Sequence, residues 1–154
     1  MTLRTVAIGL KIPDNTAYTA LLALRRLGIP VEGIERREIW QLEDADESQT
    51  LAARVEANVA VFNPNKHRLD LLDANEPGDG ETWVLPNGRH DELLEHLGGT
   101  RIEGVTQARR AVGWRLRGAG GEPVTREVLV RAAEGLLCNP AIETARYPAS
   151  KEER

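Results

Sequence analysis

Two arginine pairs are the residues in this chain whose type and spacing most clearly suggest an interaction. Arg36-Arg37 in the first half of the sequence recur as Arg109-Arg110 in the second half. Arginine on a strand or at a helix end is usually solvated surface, but it is also enriched at protein–protein interfaces. Ordinary solvated surface is therefore the first interpretation, and the recurrence raises an alternative, a partner-binding surface that includes Arg36, Arg37, Arg109 and Arg110.

The other residues that could carry chemistry predict structural roles. Cys138 is the only cysteine, and its apolar neighbours indicate a buried side chain rather than a catalytic thiol. His67, His90 and His96 have no cysteine partners and no metal-ligand spacing, a pattern typical of surface histidines. We therefore expect no catalytic residue, no metal site and no bound cofactor.

Two polar loops could hold ions, but each lacks part of the required pattern. The glycine-rich loop at 118–121 has backbone N–H groups that could cradle a phosphate, yet no Lys-Ser/Thr pair follows it. The acidic residues Glu43, Asp44, Asp46 and Glu47 supply oxygen ligands, but they lack the spacing and the glycine of a calcium loop. The sequence favours a flexible connection for the first loop and a solvated turn for the second.

The chain repeats a series of short motifs in the same order, which indicates an internal duplication. The separation between matched residues increases steadily along the chain, from the pair Gly28 and Gly98 to the pair Asn63 and Asn139. Chance matches would scatter, whereas a second copy that gained a few loop residues drifts in one direction. The matched segments are Leu27-Gly28 with Leu97-Gly98, Glu32-Gly33 with Glu103-Gly104, Arg36-Arg37 with Arg109-Arg110, Trp40-Gln41-Leu42 with Trp114-Arg115-Leu116, and Asn63-Pro64 with Asn139-Pro140.

Hydrophobic periodicity predicts strand, helix, two strands and helix in each copy. In the first copy we expect a strand at 6–12, a helix from about Thr16 to Leu27, and two strands within 31–43 that bend around Gly33. A second helix capped by Ser48 should run to about Phe62, where Asn63-Pro64 ends it. The second copy repeats this order with a strand at 83–85, a helix ending at Gly98-Gly99, an extended segment at 102–117 and a helix from Thr125 to Leu136.

The predicted fold class is therefore α+β, with two tandem β-α-β-β-α units whose helices pack on antiparallel sheets. We expect the units at 1–73 and 81–148, a linker at 74–80 and a charged tail at 149–154. Each unit is small and leaves strand edges open. A homodimer that covers these edges is therefore expected.

Composition narrows the classes of function. The chain has 154 residues, 41% hydrophobic content and a formal net charge of −4. Nucleic-acid binders usually carry a strongly basic face, so nucleic acid is not an expected partner. No apolar stretch has the length of a signal peptide or membrane span, and the lone cysteine suits a reducing compartment. We expect a cytoplasmic protein without a membrane partner.

Two segments resemble the PurS family, the small subunit of phosphoribosylformylglycinamidine synthase. Leu136-Leu137-Cys138-Asn139-Pro140-Ala141-Ile142-Glu143 is similar to that family's C-terminal signature of leucine-leucine-alanine-asparagine-proline-valine-isoleucine-glutamate. Residues 23–29 are similar to its first helix and glycine stop, and Pro13-Asp14 to the turn before that helix. Family members usually contain one unit, whereas this chain contains two copies.

The resemblance implies an α+β fold and a non-catalytic role in purine biosynthesis. In that family the small subunit binds the glutaminase and ATP-dependent synthetase subunits and helps to organise ammonia transfer between them. Asn139 and Pro140 accordingly join the four arginines as candidate interface residues. The alternatives are a scaffold outside purine synthesis, a regulatory small-molecule-binding module, and a protein that only associates with itself.

Overall fold

A computed structural model describes residues 2–46, 48, 50–88 and 102–149. The strands are β1 (Thr2–Leu10), β2 (Gly33–Asp44), β3 (His67–Leu71), β4 (Glu81–Pro86), β5 (Val105–Arg117) and β6 (Glu143–Arg146). The helices are α1 (Asn15–Arg26), α2 (Leu51–Glu56) and α3 (Arg126–Ala132), which continues into the π-helical turn Ala133–Leu137. The strands form one antiparallel sheet in the order β3-β1-β2-β5-β4-β6, so the predicted α+β class is confirmed.

Helix α1 begins and ends where its capping residues predict. The Asp14 carboxylate accepts hydrogen bonds from the N–H groups of Thr16 and Ala17 at 3.0 and 3.2 Å, which satisfies donors that the first turn leaves free. Leu27 is the C-cap, and Gly28 follows with a φ of +76°, a conformation that favours glycine. The predicted helix is confirmed, with each end one residue earlier than expected.

The prediction of two strands that bend around Gly33 in a hairpin is wrong. Gly33 begins a single strand, β2, whose residues Arg37 to Asp44 pair continuously with β1. A tight hairpin usually needs a residue with positive φ at its turn, and Gly33 does not have one. Residues 31–43 therefore contain one long strand rather than two.

The second helix of the first copy is shorter than predicted, and a strand follows it. Ser48 does not cap α2, because the N-cap residue is Thr50 and the Ser48 hydroxyl is hydrogen-bonded to the Thr50 hydroxyl at 2.6 Å. After the six residues of α2, the chain turns twice and forms β3, which the sequence pattern did not predict. β3 has only five residues and lies at an edge of the sheet, so its half-polar sequence carries a weak strand signal.

The second half repeats this outcome. β4 and β5 confirm the predicted extended segments, and α3 is capped by Thr125, whose hydroxyl accepts a hydrogen bond from the Val128 N–H at 3.3 Å. β6 is an unpredicted strand for the same reason as β3. The order in the described residues of the first half is therefore β-α-β-α-β, not β-α-β-β-α, and the helix predicted to end at Gly98-Gly99 lies outside the described residues.

The chain divides into two compact units, each built from three segments. Unit 1 comprises Met1–Ile12, Arg37–Asn75 and Gly88–Ala111, and unit 2 comprises Pro13–Arg36, Glu76–Asn87 and Val112–Arg154. β2 and β5 each contribute residues to both units. The repeat boundaries at 1–73, 74–80, 81–148 and 149–154 stay a prediction about how the sequence is duplicated.

Each unit has its own hydrophobic core. In unit 1, side chains of β1, β2 and α2 pack with two buried residues that precede β3 and with residues around the start of β5. In unit 2, α1 packs with α3, β4 and the second half of β5. The buried residues are Val6, Ile8, Trp40, Leu42, Leu51, Val55, Val61, Phe62, Ile102, Val105 and Ala108 in unit 1, and Ala17, Leu24, Ile29, Val31, Val84, Trp114, Leu116, Leu129 and Ala132 in unit 2.

Candidate functional site

The first arginine pair is engaged within the protein. Arg36 donates to the Asp14 carboxylate at 3.0 and 3.3 Å, so the residue that caps α1 also binds β2. Arg37 is buried, with a guanidinium nitrogen 3.9 Å from a carboxylate oxygen of Asp70. Neighbours on a strand point to opposite faces, and this pair therefore does not form one patch.

The second arginine pair is split in the same way. Arg110 lies 3.3 Å from the Glu38 carboxylate, and its guanidinium carbon is 5.7 Å from the centre of the Trp40 ring, within the range of a cation–π contact. Arg109 is exposed on β5. Of the four predicted arginines, Arg109 is the most accessible, and a role for all four in binding a partner stays a prediction.

The Asn139-Pro140 segment forms a closed turn before β6. The Asn139 side-chain oxygen accepts from the Ala141 N–H at 3.1 Å, and its carbonyl accepts from the N–H groups of Ile142 and Glu143 at 3.1 and 2.8 Å. The Glu143 carboxylate in turn accepts from the Asn139 N–H at 2.8 Å. Asparagine and glutamate therefore act as turn-forming residues here, while Pro140 is exposed.

The Asn63-Pro64 segment, its match in the first half, makes the same set of hydrogen bonds before β3. The Asn63 side-chain oxygen accepts from the Asn65 N–H at 2.9 Å, and its carbonyl accepts from the N–H groups of Lys66 and His67 at 3.0 and 2.8 Å. The His67 imidazole Nδ1 accepts from the Asn63 N–H at 2.9 Å, in the position that the Glu143 carboxylate occupies in the other turn. His67 is thus a structural residue, while His90 and His96 lie outside the described residues.

The acidic loop contains a buried ion pair rather than only a solvated turn, which corrects the prediction for Asp44. The Arg54 guanidinium donates to the two oxygens of Asp44 at 2.7 and 3.2 Å, and the Asp44 side chain is 1% exposed. Arg54 also donates to the carbonyl of Glu103. Hydrogen bonding to Asp44 raises the pKa of Arg54, so this guanidinium stays charged.

The remaining acidic residues that the structure describes in that loop are half-buried, so they are more accessible than Asp44 but not fully solvated. Asp46 is half-buried, and a hydrogen bond from the Ser48 N–H lowers the pKa of its carboxyl group. Glu43 is half-buried, and Glu47 lies outside the described residues.

The glycine-rich loop already holds an acidic side chain. A Cβ atom at Gly120 would lie 2.7 Å from a Glu122 carboxylate oxygen, and a Cβ atom at Gly118 would clash with the same carboxylate. The loop is also closed by the Gly118 N–H, which donates to the Glu122 carbonyl at 2.8 Å. A carboxylate over the loop repels a phosphate, so the geometry agrees with a plain connection between β5 and α3.

Cys138 is half-buried beside the core of unit 2. Burial, followed by the nearby charge of Glu143, raises the pKa of its thiol. The thiolate is the reactive form of cysteine, so this environment makes Cys138 a poor nucleophile at neutral pH.

Unit 2 also contains an apolar groove that the sequence pattern did not predict. Its volume is about 450 Å³, and its walls come from α1, from Trp114 on β5 and from the π-helical turn. The lining residues are Asn15, Thr16, Thr19, Ala20, Ala23, Trp114, Leu136 and Leu137. The small residues spaced three and four apart on α1 are the feature of the sequence that could have indicated a groove. Their position beside Trp114 and Leu137 depends on the fold.

Comparison with protein-family models and with curated proteins finds no match for this chain. The resemblance to the PurS family therefore rests on the sequence segments quoted above. Among the described residues, no helix combines the length and the apolar character that crossing a membrane requires.

Proposed function

We propose that this chain is a non-catalytic accessory subunit in which two PurS-like repeats are joined in one polypeptide. It would bind the synthetase and glutaminase subunits of a glutamine-dependent purine synthase and help to organise ammonia transfer between them. The observation that carries the proposal is the shared turn geometry at Asn63 and Asn139, because the second turn contains the family-like signature.

Hydrogen bonding next to these turns also supports a duplication. The Lys11 N–H donates to the Lys66 carbonyl at 2.8 Å, and the Asn87 N–H donates to the Ile142 carbonyl at the same distance of 2.8 Å and the matching place in the second half. β1 pairs with β2 and β3, as β4 pairs with β5 and β6. Trp40 lies opposite a residue of β1, and Trp114 lies opposite a residue of β4.

The local chemistry of the former catalytic candidates favours a binding role. The pKa of the Cys138 thiol is raised, and the Glu122 carboxylate occupies the glycine loop that could have held a phosphate. His67 accepts a hydrogen bond within its own turn. Each of these groups serves the fold, whereas Arg109 presents a cation at the surface of β5.

The direct test is titration of the purified chain against the synthetase and glutaminase of its own organism. Calorimetry with glutamine and nucleotide present should detect a complex, and the chain alone should show no glutaminase, ATPase or ligase activity. Arg109→Glu should raise the Kd at least about tenfold if Arg109 lies at the centre of the interface. Arg131→Glu, an equal charge change at an exposed position on α3, is the matched control and should leave the Kd unchanged.

Failure to detect any complex under these conditions would contradict the proposal. If Arg109→Glu and Arg131→Glu change the Kd equally, the complex exists but the β5 surface around Arg109 is not part of its interface. Arg110→Glu is a less specific probe, because it also removes the contacts with Glu38 and Trp40.

A regulatory small-molecule-binding module is the second candidate, and the groove in unit 2 favours it. Its volume of about 450 Å³ lies within the range of small-molecule sites. An apolar fluorescent probe such as anilinonaphthalene sulfonate should bind there and stabilise the chain against heat. Ala20→Trp should fill the groove and abolish binding, whereas unchanged probe binding would place the probe elsewhere.

A further inference from the structure

β3 is an edge strand whose sequence is complementary to itself. Among the described residues, β3 lies at one end of the sheet and pairs with β1 alone. Arg68 and Asp70, which are both exposed, alternate with His67, Leu69 and Leu71, and Leu71 is 39% exposed. Natural proteins commonly cover or pair such an edge.

Existing hydrogen bonds define which backbone groups of β3 are directed outward. The Leu72 N–H donates to the Thr5 carbonyl at 2.9 Å, and the Lys66 carbonyl accepts from the Lys11 N–H at 2.8 Å. Residues that exchange hydrogen bonds alternate along an antiparallel strand. Even-numbered residues from 66 to 72 therefore face β1, and the N–H and C=O groups of residues 67, 69 and 71 are directed to the open edge.

We propose that β3 pairs with β3 of a second copy of this chain, antiparallel and about a two-fold axis at Leu69. The partner's Leu69 then lies opposite Leu69, and the partner's Leu71 lies opposite His67. The three outward residues supply the backbone donors and acceptors of this ladder. By symmetry, Arg68 lies opposite the partner's Asp70 and Asp70 opposite the partner's Arg68.

Charge selects this register over its neighbours. If the partner strand moves by two residues in one direction, Arg68 lies opposite the partner's Arg68. If it moves by two residues in the other direction, Asp70 lies opposite the partner's Asp70. Like charges directly opposite each other destabilise an antiparallel pair, whereas opposite charges stabilise it. The central register is the one that forms two opposite-charge pairs and also brings the leucines together.

The contact is small, so the dimer should be weak and dependent on concentration. Edges of five residues bury far less than a standard interface, so we expect a dimer that forms only in the micromolar range of concentration or above. The inference uses β3 alone and does not depend on the proposed function. A chain that never meets a synthetase could still pair in this way.

Sedimentation equilibrium of the full chain with charge-reversed variants tests the register. Arg68→Glu and Asp70→Lys should each raise the dimer Kd at least about tenfold, because each places two like-charge pairs across the axis. An equimolar mixture of the two variants should recover dimers, since one strand is then acidic and the other basic. Arg26→Glu, an equal charge change at an exposed position on α1, should leave the Kd unchanged.

A monomer at every concentration, a dimer insensitive to both reversals, or a mixture that does not recover dimers would each overturn the proposal. Asp70 lies 3.9 Å from the buried Arg37, so Asp70→Lys could also disturb folding. If Asp70→Lys does not fold, the salt dependence of the Arg68→Glu dimer tests the register by itself. Salt screens the repulsion between like charges as well as the attraction between opposite charges. Raising NaCl to about 1 M should strengthen the Arg68→Glu dimer and weaken the unmodified one, and equal responses would contradict the register.

Discussion

Removing Arg54, the arginine of the buried ion pair, should lower the free energy of unfolding far more than removing an exposed arginine that also pairs with a carboxylate. Arg54→Met deletes the hydrogen bonds to both oxygens of Asp44 at 2.7 and 3.2 Å, together with the bond to the Glu103 carbonyl. The carboxylate that remains is 1% exposed, so water cannot replace the lost donors. We expect the free energy of unfolding to fall by about 3 to 5 kcal/mol.

Arg25 provides the matched control. Its guanidinium lies 2.8 Å from the Glu32 carboxylate, but the two side chains are 45% and 57% exposed. Exposed pairs of this kind contribute about 0 to 1 kcal/mol, so Arg25→Met should change stability little. Arg25 also donates to the Val31 carbonyl at 3.2 Å, as Arg54 does to the Glu103 carbonyl, so the two variants remove the same kinds of contact and differ mainly in burial.

Urea denaturation followed by tryptophan fluorescence measures both variants. A loss of about 3 to 5 kcal/mol corresponds to a Tm lower by about 6 to 20 °C in a chain of this size. Neutralising the orphaned carboxylate in the double variant Asp44→Asn with Arg54→Met should recover at least half of the loss. If Arg54→Met and Arg25→Met fall within about 1 kcal/mol of each other, the reasoning from burial is refuted.

Two further predictions concern backbone space and thiol reactivity. Gly104→Ala should lower the free energy of unfolding by about 2 to 4 kcal/mol, since φ is +83° and a Cβ atom would lie 2.9 Å from Asp46 Cβ. Gly28→Ala, at a φ of +76° with open space, should lose only about 1 kcal/mol in the same denaturation assay, and equal losses would exclude crowding as the cause. The rate of Cys138 alkylation by iodoacetamide should rise with pH to a midpoint above that of a free cysteine peptide, because burial raises the thiol pKa. A midpoint below the peptide's would instead identify an activated thiol.

The sequence by itself determined the features that depend on neighbouring residues. The helix at α1 follows from the Asp14 cap, the apolar spacing and Gly28, each of which acts within one or two turns. The strand β5 follows from apolar alternation, and β4 follows from the continuous apolar run Trp83-Val84-Leu85. Asn63 and Asn139 predict their turns, because an asparagine side-chain oxygen accepts a hydrogen bond from the backbone N–H two residues further along the chain.

Tertiary structure decided what depends on residues far apart in the chain. β3 and β6 are short edge strands with half-polar sequences, and they become strands because β1 and β4 offer them unpaired backbone groups. Local composition suggested that Asp44 was solvated, but the fold buries it and supplies Arg54 as its partner. The α1 groove likewise needs Trp114, which lies in the other half of the sequence from the helix.

The arginine pairs illustrate the same division. Sequence identified their recurrence, but alternation along a strand sends adjacent side chains to opposite faces. Arg37 is consequently buried while Arg36 binds the cap of α1, and Arg110 stacks on Trp40 while Arg109 stays exposed. Side-chain type and spacing are properties of the sequence, whereas exposure depends on which segments pack against each strand, and those segments come from distant parts of the chain.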